Sequence, residues 1–449
     1  MWANQAVFYQ IYPLGFSGAP LENDFVSYPV NRMDRIISWI PYLKSLGCNA
    51  VYLGPVFESD AHGYDTADYF LVDRRLGTND TLSNLSRCLH ESGVKLVIDT
   101  VFNHVGRNFW AFIDLKDKKE SSKYANWFCG VNFDYNNEYN DGFVYEGWYD
   151  AYNLVKLNLQ NEEVKKYLFD VVAFWMEHFK VDGLRLDVAE IMDKQFLHEL
   201  SVFVKERDPE CWLLGEVIIG DYTKWVNPDM LDSCTNYEGY KALYESHNNS
   251  NYFDLAQTLA RQHDHAGVYR ELSLYNFVDN HDTTRIASIL QNTEHLIVVY
   301  TLLFTLPGIP SIYYGSEWGI LGIKGERSDY LLRPEMTKVP NILHSALAQY
   351  ISALADIRGN HPALCAGIYK ELYVAEQQLI FQRSIAGEVV IVAVNMACEM
   401  ATICCDSDVS SGNILIDQLD QRYETEVSNK LCCDILPYSA RILILKSAD

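Results

Sequence analysis

Short apolar, β-prone runs alternate with helical patterns up to about residue 355, and this alternation constrains the fold more than any other feature. Eight runs predict strands, at residues 6–12, 50–55, 95–101, 183–188, 212–217, 233–237, 274–277 and 311–314. Eight strand–helix repeats in one chain predict an α/β protein with a closed (β/α)8 TIM barrel. An open doubly wound sheet is the alternative, but the residues after the first run lack its glycine-rich phosphate loop.

Two regions break this alternation and predict the domain organisation. Residues 105–160 are rich in Asn, Asp, Tyr and Trp and are too long for an ordinary connection, so we expect a lid-like insertion (domain B) after the third strand. Residues 361–449 contain short segments with the alternating pattern of β-strands, which predicts a C-terminal antiparallel β-sandwich domain. The catalytic barrel is therefore expected over residues 1–104 and 161–360.

A carboxylate closes each of three short apolar or β-prone segments. Asp187 ends GLRLD, Glu216 ends LLGE, and Asp282 ends FVDNHD. Each acid can therefore lie at the end of a separate strand. Three acids brought together from distant segments suit glycosidic bond cleavage, in which one attacks the anomeric carbon, one transfers the proton and one holds substrate hydroxyls.

These segments, with one more, resemble the four signature regions of the α-amylase family of glycoside hydrolases. In chain order they are DTVFNH at 99–104, GLRLD at 183–187, GE at 215–216 and FVDNHD at 277–282. The resemblance implies that Asp187 is the nucleophile, Glu216 the general acid and then base, and Asp282 the third catalytic acid. We expect Arg185 to lower the pKa of Asp187, and burial to keep Glu216 protonated near neutral pH.

The same resemblance implies which side chains bind the sugar. The predicted substrate-binding residues are Tyr64, His104, Arg185, His281, Asp329 and Arg333. Asp65 is expected to orient an arginine such as Arg185 and not to touch substrate. Asp99 and Asn103 are expected to support the end of the barrel.

The chain also departs from the family pattern beside two of the acids. Where many secreted amylases have a Lys-His pair whose histidine helps to hold calcium, this chain has Glu190 and Ile191, so we predict no calcium there and assign no metal ligand and no cofactor. The segment LVKLN at 154–158 resembles MPKxN of the neopullulanase, cyclomaltodextrinase and maltogenic amylase branch, with Val155 in place of proline. Ile218-Ile219 stand where that branch often has an aromatic residue. The N-terminal β domain usual in that branch is not expected, because the first predicted strand begins at residue 6.

The charge composition indicates which kinds of binding partner the protein can have. A net charge of −24 argues against nucleic acid and anionic membranes, whereas a neutral oligosaccharide is compatible with it. The start of the sequence does not resemble a secretory signal, so a cytoplasmic location and reduced thiols for the eleven cysteines are expected. The sequence leaves the oligomeric state open.

The predicted function is retaining hydrolysis of α-1,4 bonds, and conceivably α-1,6 bonds, in maltodextrins, cyclodextrins or related oligosaccharides. A transglycosylase on the same fold is the nearest alternative, since it differs only in what accepts the glycosyl group. Sucrose- or trehalose-active, phosphorolytic and catalytically inactive relatives are more distant alternatives.

Overall fold

The computed structural model describes residues 1–326 and 329–446, and eight parallel strands form its central sheet. They are β1 (Phe8–Ile11), β2 (Ala50–Leu53), β3 (Lys95–Thr100), β4 (Gly183–Leu186), β5 (Trp212–Gly215), β6 (Ser233–Cys234), β7 (Tyr275–Phe277) and β8 (Ile309–Tyr313). Their order in the sheet is β6-β5-β4-β3-β2-β1-β8-β7. A parallel bridge between Thr235 and Tyr275 joins the two ends and closes the barrel. The predicted (β/α)8 barrel is confirmed.

Helices connect the strands and cover the outside of the barrel. The α-helices are Pro13–Phe16, Asp34–Ser45, Asn79–Glu91, Trp110–Lys118, Glu162–His178, Lys194–Arg207, Tyr237–Asn248, Tyr252–His263, Ile286–Ile289, Leu296–Thr305, Ala346–Asn360 and Pro362–Ala366. In the longest of them the Asn161 side chain accepts the backbone N–H of Glu163 at 2.8 Å, which caps the first turn. Its buried stripe of Val164, Leu168, Val171 and Trp175 packs towards the sheet.

Large side chains fill the inside of the barrel. Phe8, Trp212 and Tyr275 pack against one another with ring centroids 5.2–6.2 Å apart. They belong to a separate buried cluster with smaller neighbours such as Ala50 and Val97. Because this cluster occupies the interior, a ligand site has to lie at an end of the barrel, where the loops begin.

Two small antiparallel units stand above the carboxyl ends of the strands. A hairpin of Phe57–Ser59 and Thr66–Val72 follows β2. After β3, a three-stranded sheet pairs Ala151–Lys156 with both His104–Gly106 and Gly147–Trp148. These units place His104 and Trp148 beside the ends of the barrel strands.

The C-terminal strands form the expected antiparallel sandwich. They are β9 (Ile368–Val374), β10 (Gln378–Ile385), β11 (Glu388–Asn395), β12 (Ala401–Cys405), β13 (Ile414–Asp417), β14 (Glu424–Glu426), β15 (Leu431–Ile435) and β16 (Ser439–Leu445). Six make one sheet in the order β9-β10-β11-β16-β13-β14, and β12 pairs with β15. Alternate residues of β10 serve different cores: Leu379 and Phe381 join the main core, whereas Ile380 packs inside the sandwich.

One disulfide contradicts the expectation that all cysteines are reduced. Cys404 on β12 and Cys432 on β15 are directly opposite in the strand register and are joined. Neighbouring Cys405 and Cys433 point into the sandwich core and remain thiols, as side chains alternate along a strand. The sequence could not indicate this pairing, because it depends on the register of two strands.

No helix in the described part of the chain combines the length and the apolar character that crossing a membrane requires.

Candidate active site

A cavity of about 1190 Å³ opens at the carboxyl ends of the barrel strands, and most of the predicted site residues line it. They are Tyr64, His104, Asp187, Glu216, Asp282, Asp329 and Arg333. Asp187 and Glu216 lie one residue beyond β4 and β5, at equivalent positions of adjacent strands, because Gly215 is paired with Leu186. The backbone N–H of Glu216 donates to the carbonyl of Leu186 at 2.9 Å, which continues the ladder to the acids themselves.

The Arg185 guanidinium joins three carboxylates beneath the cavity. Its Nη1 lies 2.9 Å from Oδ1 of Asp99 and 2.8 Å from Oδ1 of Asp187, and its Nη2 lies 2.9 Å from Oε1 of Glu216. Arg185 is buried and does not line the cavity, so it acts on a bound substrate through the carboxylates that it contacts. One fixed cation therefore sets the relative positions of Asp187 and Glu216.

The expectation that Asp65 orients Arg185 is wrong. Asp65 instead accepts the backbone N–H groups of Ala61 and Gly63 at 2.9 and 3.1 Å, and so shapes the loop before Tyr64. Asp99 takes the orienting role, because β3 pairs directly with β4 and places Asp99 opposite Arg185.

Burial shifts the pKa of Asp187 more than Arg185 does. Burial raises the pKa of Asp187, the Arg185 charge opposes this, and the carboxylates of Glu216 and Asp99 add to the rise, so that the pKa lies well above its usual value. The Arg185 charge therefore lowers the pKa of Asp187 as expected, but it does not offset the burial of that carboxyl.

Asp282 has the opposite electrostatic environment. Its Oδ2 lies 3.0 Å from Nε2 of His281, and its Oδ1 lies 2.8 Å from Nη2 of Arg333. Burial raises the pKa of Asp282, but His281, Arg333 and Arg185 outweigh it and hold that pKa far below the usual range. Arg333 also contacts Asp329 at 3.2 Å, so the predicted Asp–Arg pair is joined directly to the third acid.

Tyr64 and His104 line another part of the cavity, and His281 packs against Tyr64. The Tyr64 ring stacks on His281 with centroids 5.6 Å apart, and its hydroxyl donates to Oδ2 of Asp99 at 2.9 Å. Nδ1 of His104 lies 3.2 Å from the side-chain amide nitrogen of Asn103. Burial and the charge of His62 lower the pKa of His104 to about 3, so its imidazole is neutral.

Sequence reasoning missed several residues that build the site. Val188 adopts a left-handed conformation (φ 44°, ψ 39°) and donates its backbone N–H to Oε2 of Glu216 at 2.9 Å. The Tyr237 hydroxyl lies 3.5 Å from Oε1 of Glu216, and Tyr12 lies under the Arg333 guanidinium at 4.4 Å. Tyr12 and Tyr237 are the last residues of predicted strands, so the sequence could have indicated that they lie near the site. Nothing in the sequence indicates a role for Val188.

Within residues 1–326 and 329–446, no group of three or more His, Cys, Asp or Glu side chains is placed to hold a metal ion. At the position where secreted amylases place a calcium-binding histidine, Ile191 offers no ligand, and the neighbouring Glu190 carboxylate accepts two backbone N–H groups. The local donor set therefore does not fit a calcium ion.

The model of the α-amylase catalytic domain matches residues 10–350. The chain belongs to the α-amylase family of glycoside hydrolases. It is 31% identical to neopullulanase 2 of Thermoactinomyces vulgaris, in a match that covers 98% of this chain and 78% of that protein. It is 29% identical to an intracellular maltogenic amylase of Bacillus subtilis (strain 168), with 80% of this chain and 62% of that protein covered. These relatives confirm the predicted branch of the family.

The solved structures agree with this assignment. The ligand-free form of cyclic α-maltosyl-(1→6)-maltose hydrolase from Arthrobacter globiformis has a TM-score of 0.80 at 26% identity, with 99% of each chain covered. The likeness extends over the barrel and the C-terminal sandwich together.

Proposed function

We propose that this protein is a retaining α-glucan hydrolase that cleaves α-1,4 bonds, with α-1,6 bonds as a second class, in maltodextrins, cyclodextrins or related oligosaccharides. The observation that carries the proposal is the arrangement of the acids around Arg185. One guanidinium contacts both Asp187 and Glu216, while Asp282 lines the same cavity. Relatives named neopullulanase and cyclic α-maltosyl-(1→6)-maltose hydrolase support the substrate class.

The proposed reaction divides the work between Asp187 and Glu216. Asp187 attacks the anomeric carbon as a carboxylate, and Glu216 gives its proton to the departing glycosidic oxygen. In the second step Glu216 removes a proton from water, whose oxygen displaces Asp187 from the sugar.

The remaining cavity residues are proposed to hold the sugar at the cleaved bond. Asp282 and its neighbour His281 would accept and donate hydrogen bonds to ring hydroxyls. Tyr64 would stack against the C–H face of the sugar, because its ring faces the cavity. His104, which is neutral, can donate to one hydroxyl and accept from another.

The proposal also includes the domain boundaries and the cellular location of the protein. We divide the chain into a catalytic barrel (1–104 and 161–360), domain B (105–160) and a C-terminal β domain (361–449). A cytoplasmic location is supported by the intracellular relative, and the partner is a small oligosaccharide.

Product analysis tests the function. Purified protein is incubated with maltotriose, β-cyclodextrin and pullulan, with Glu216→Gln alongside. Cleavage of at least one substrate by the wild type, with no cleavage by the variant, is the expected result. Longer oligomers from concentrated maltotriose would identify a transglycosylase instead. No cleavage of any of the three would refute the maltodextrin assignment and direct the assay to sucrose, trehalose and phosphate-dependent turnover.

A further inference from the structure

Two departures from the family pattern, at Glu190 and at Ile218-Ile219, are in direct contact in the folded protein. Oε2 of Glu190 accepts the backbone N–H of Ile218 at 2.8 Å and that of Ile219 at 3.0 Å. The backbone N–H of Glu190 also donates to the carbonyl oxygen of Glu216 at 3.2 Å. The main chain and the side chain of one residue therefore bind the segment that begins with the acid/base.

The contact between these segments leaves little room for adjustment. They are the turn that follows the nucleophile and the segment that carries Glu216. A Cβ added at Gly215 would lie 3.1 Å from Cβ of Ala189, so the end of the strand before Glu216 packs closely against the turn that follows the nucleophile. A carboxylate that accepts two successive N–H groups fixes the direction of the chain after Glu216, since charge-assisted hydrogen bonds are short and directional.

We propose that Glu190 is a positioning residue for the acid/base Glu216. This inference rests on the proposed glycoside hydrolase function.

The positioning role is tested with two substrates that differ in their need for an acid. Maltotriose needs protonation of its leaving oxygen, whereas fluoride leaves from α-maltosyl fluoride with little assistance. We expect Glu190→Ala to lower kcat/KM on maltotriose about tenfold or more, with kcat/KM for the fluoride changed less than about threefold, because kcat/KM reports the steps up to the glycosyl-enzyme and not the later attack of water. Glu190→Gln, which keeps one acceptor oxygen, should recover most of the loss, and Glu206→Ala, at an exposed helix position, should change neither.

Three outcomes distinguish a failure of the positioning role from a failure of the proposed function. Equal losses on both substrates, accompanied by a lower melting temperature, would mean that Glu190 only supports the fold, and would overturn the positioning role. Unchanged turnover on both substrates would overturn it as well. A wild type that cleaves neither substrate would overturn the proposed function itself.

Discussion

Val188 donates its backbone N–H to Oε2 of Glu216 at 2.9 Å while holding a left-handed backbone conformation that β-branched residues rarely adopt. It directly follows Asp187, so the strained residue connects the proposed nucleophile to the proposed acid/base. Strain of this kind costs about 1–3 kcal/mol and persists only where surrounding contacts enforce it. Here those contacts are the β4–β5 ladder and the turn Ala189–Ile191.

Replacing Val188 with glycine should therefore stabilise the protein. Glycine adopts positive φ without strain, and the gain should exceed its entropic cost of about 0.5–1 kcal/mol. We expect Val188→Gly to raise the melting temperature by one or more degrees in differential scanning calorimetry, with kcat on maltotriose reduced because the link to Glu216 is looser. Val202→Gly, in the exposed face of a regular helix, is the control and should lower the melting temperature. A lower melting temperature for both variants would contradict the strain at Val188.

Replacing Arg185 should impair both activity and stability, even when the replacement is lysine. A lysine ammonium is a single point charge and cannot bridge Asp99, Asp187 and Glu216 in the fixed geometry of a guanidinium. We expect Arg185→Lys to lower kcat/KM on maltotriose by about 100-fold or more, and to lower the melting temperature because buried carboxylates lose their partner. Arg87→Lys removes an exposed helix ion pair and should have little effect on either quantity. Wild-type kinetics in Arg185→Lys would show that the network does not organise the acids.

The sequence was sufficient for the barrel, the sandwich and the residues around the cavity, because strand-end acids are visible as a linear pattern. The sequence did not predict the contacts that depend on which strands are neighbours in the sheet. Asp99 orients Arg185 because β3 pairs with β4, and neither residue carries that information alone. The contact of Glu190 with Ile218 and the Cys404–Cys432 pair are long-range in the same way. The raised pKa of Asp187 depends on burial, which a lone RxD motif does not reveal.

The disulfide predicts the number of free thiols. Of eleven cysteines, nine are free in the oxidised protein, and all eleven should react after reduction. Thiol titration of the denatured protein, with and without prior reduction, checks this. Cys404→Ser should give ten free thiols because Cys432 is released, and its melting temperature should be lower than that of the wild type only under oxidising conditions, where the wild type has the cross-link. Eleven reactive thiols in protein that has been exposed to oxidant would contradict the pairing.

Glu317 makes stability depend on pH away from the catalytic site. It is fully buried, and its Oε1 accepts the hydroxyls of Tyr9 at 2.7 Å and Tyr42 at 3.1 Å. Burial raises the pKa of Glu317 from 4.5 to about 7, although those hydrogen bonds oppose the rise. Because the folded state binds this proton more tightly than the unfolded state does, the contribution to stability is greatest at low pH. It falls as the pH rises from about 4.5 to about 7.

Glu317→Gln, which imitates the protonated acid, should remove this dependence. Its stability relative to wild type should be greater at pH 8 than at pH 5 by about 2 kcal/mol, since one pKa unit corresponds to about 1.4 kcal/mol. Melting temperatures of both proteins at the two pH values measure the difference, and Glu206→Gln, at an exposed position, controls for the loss of a negative charge. An equal difference at pH 5 and pH 8 would show that Glu317 does not change its protonation in the folded protein over this range.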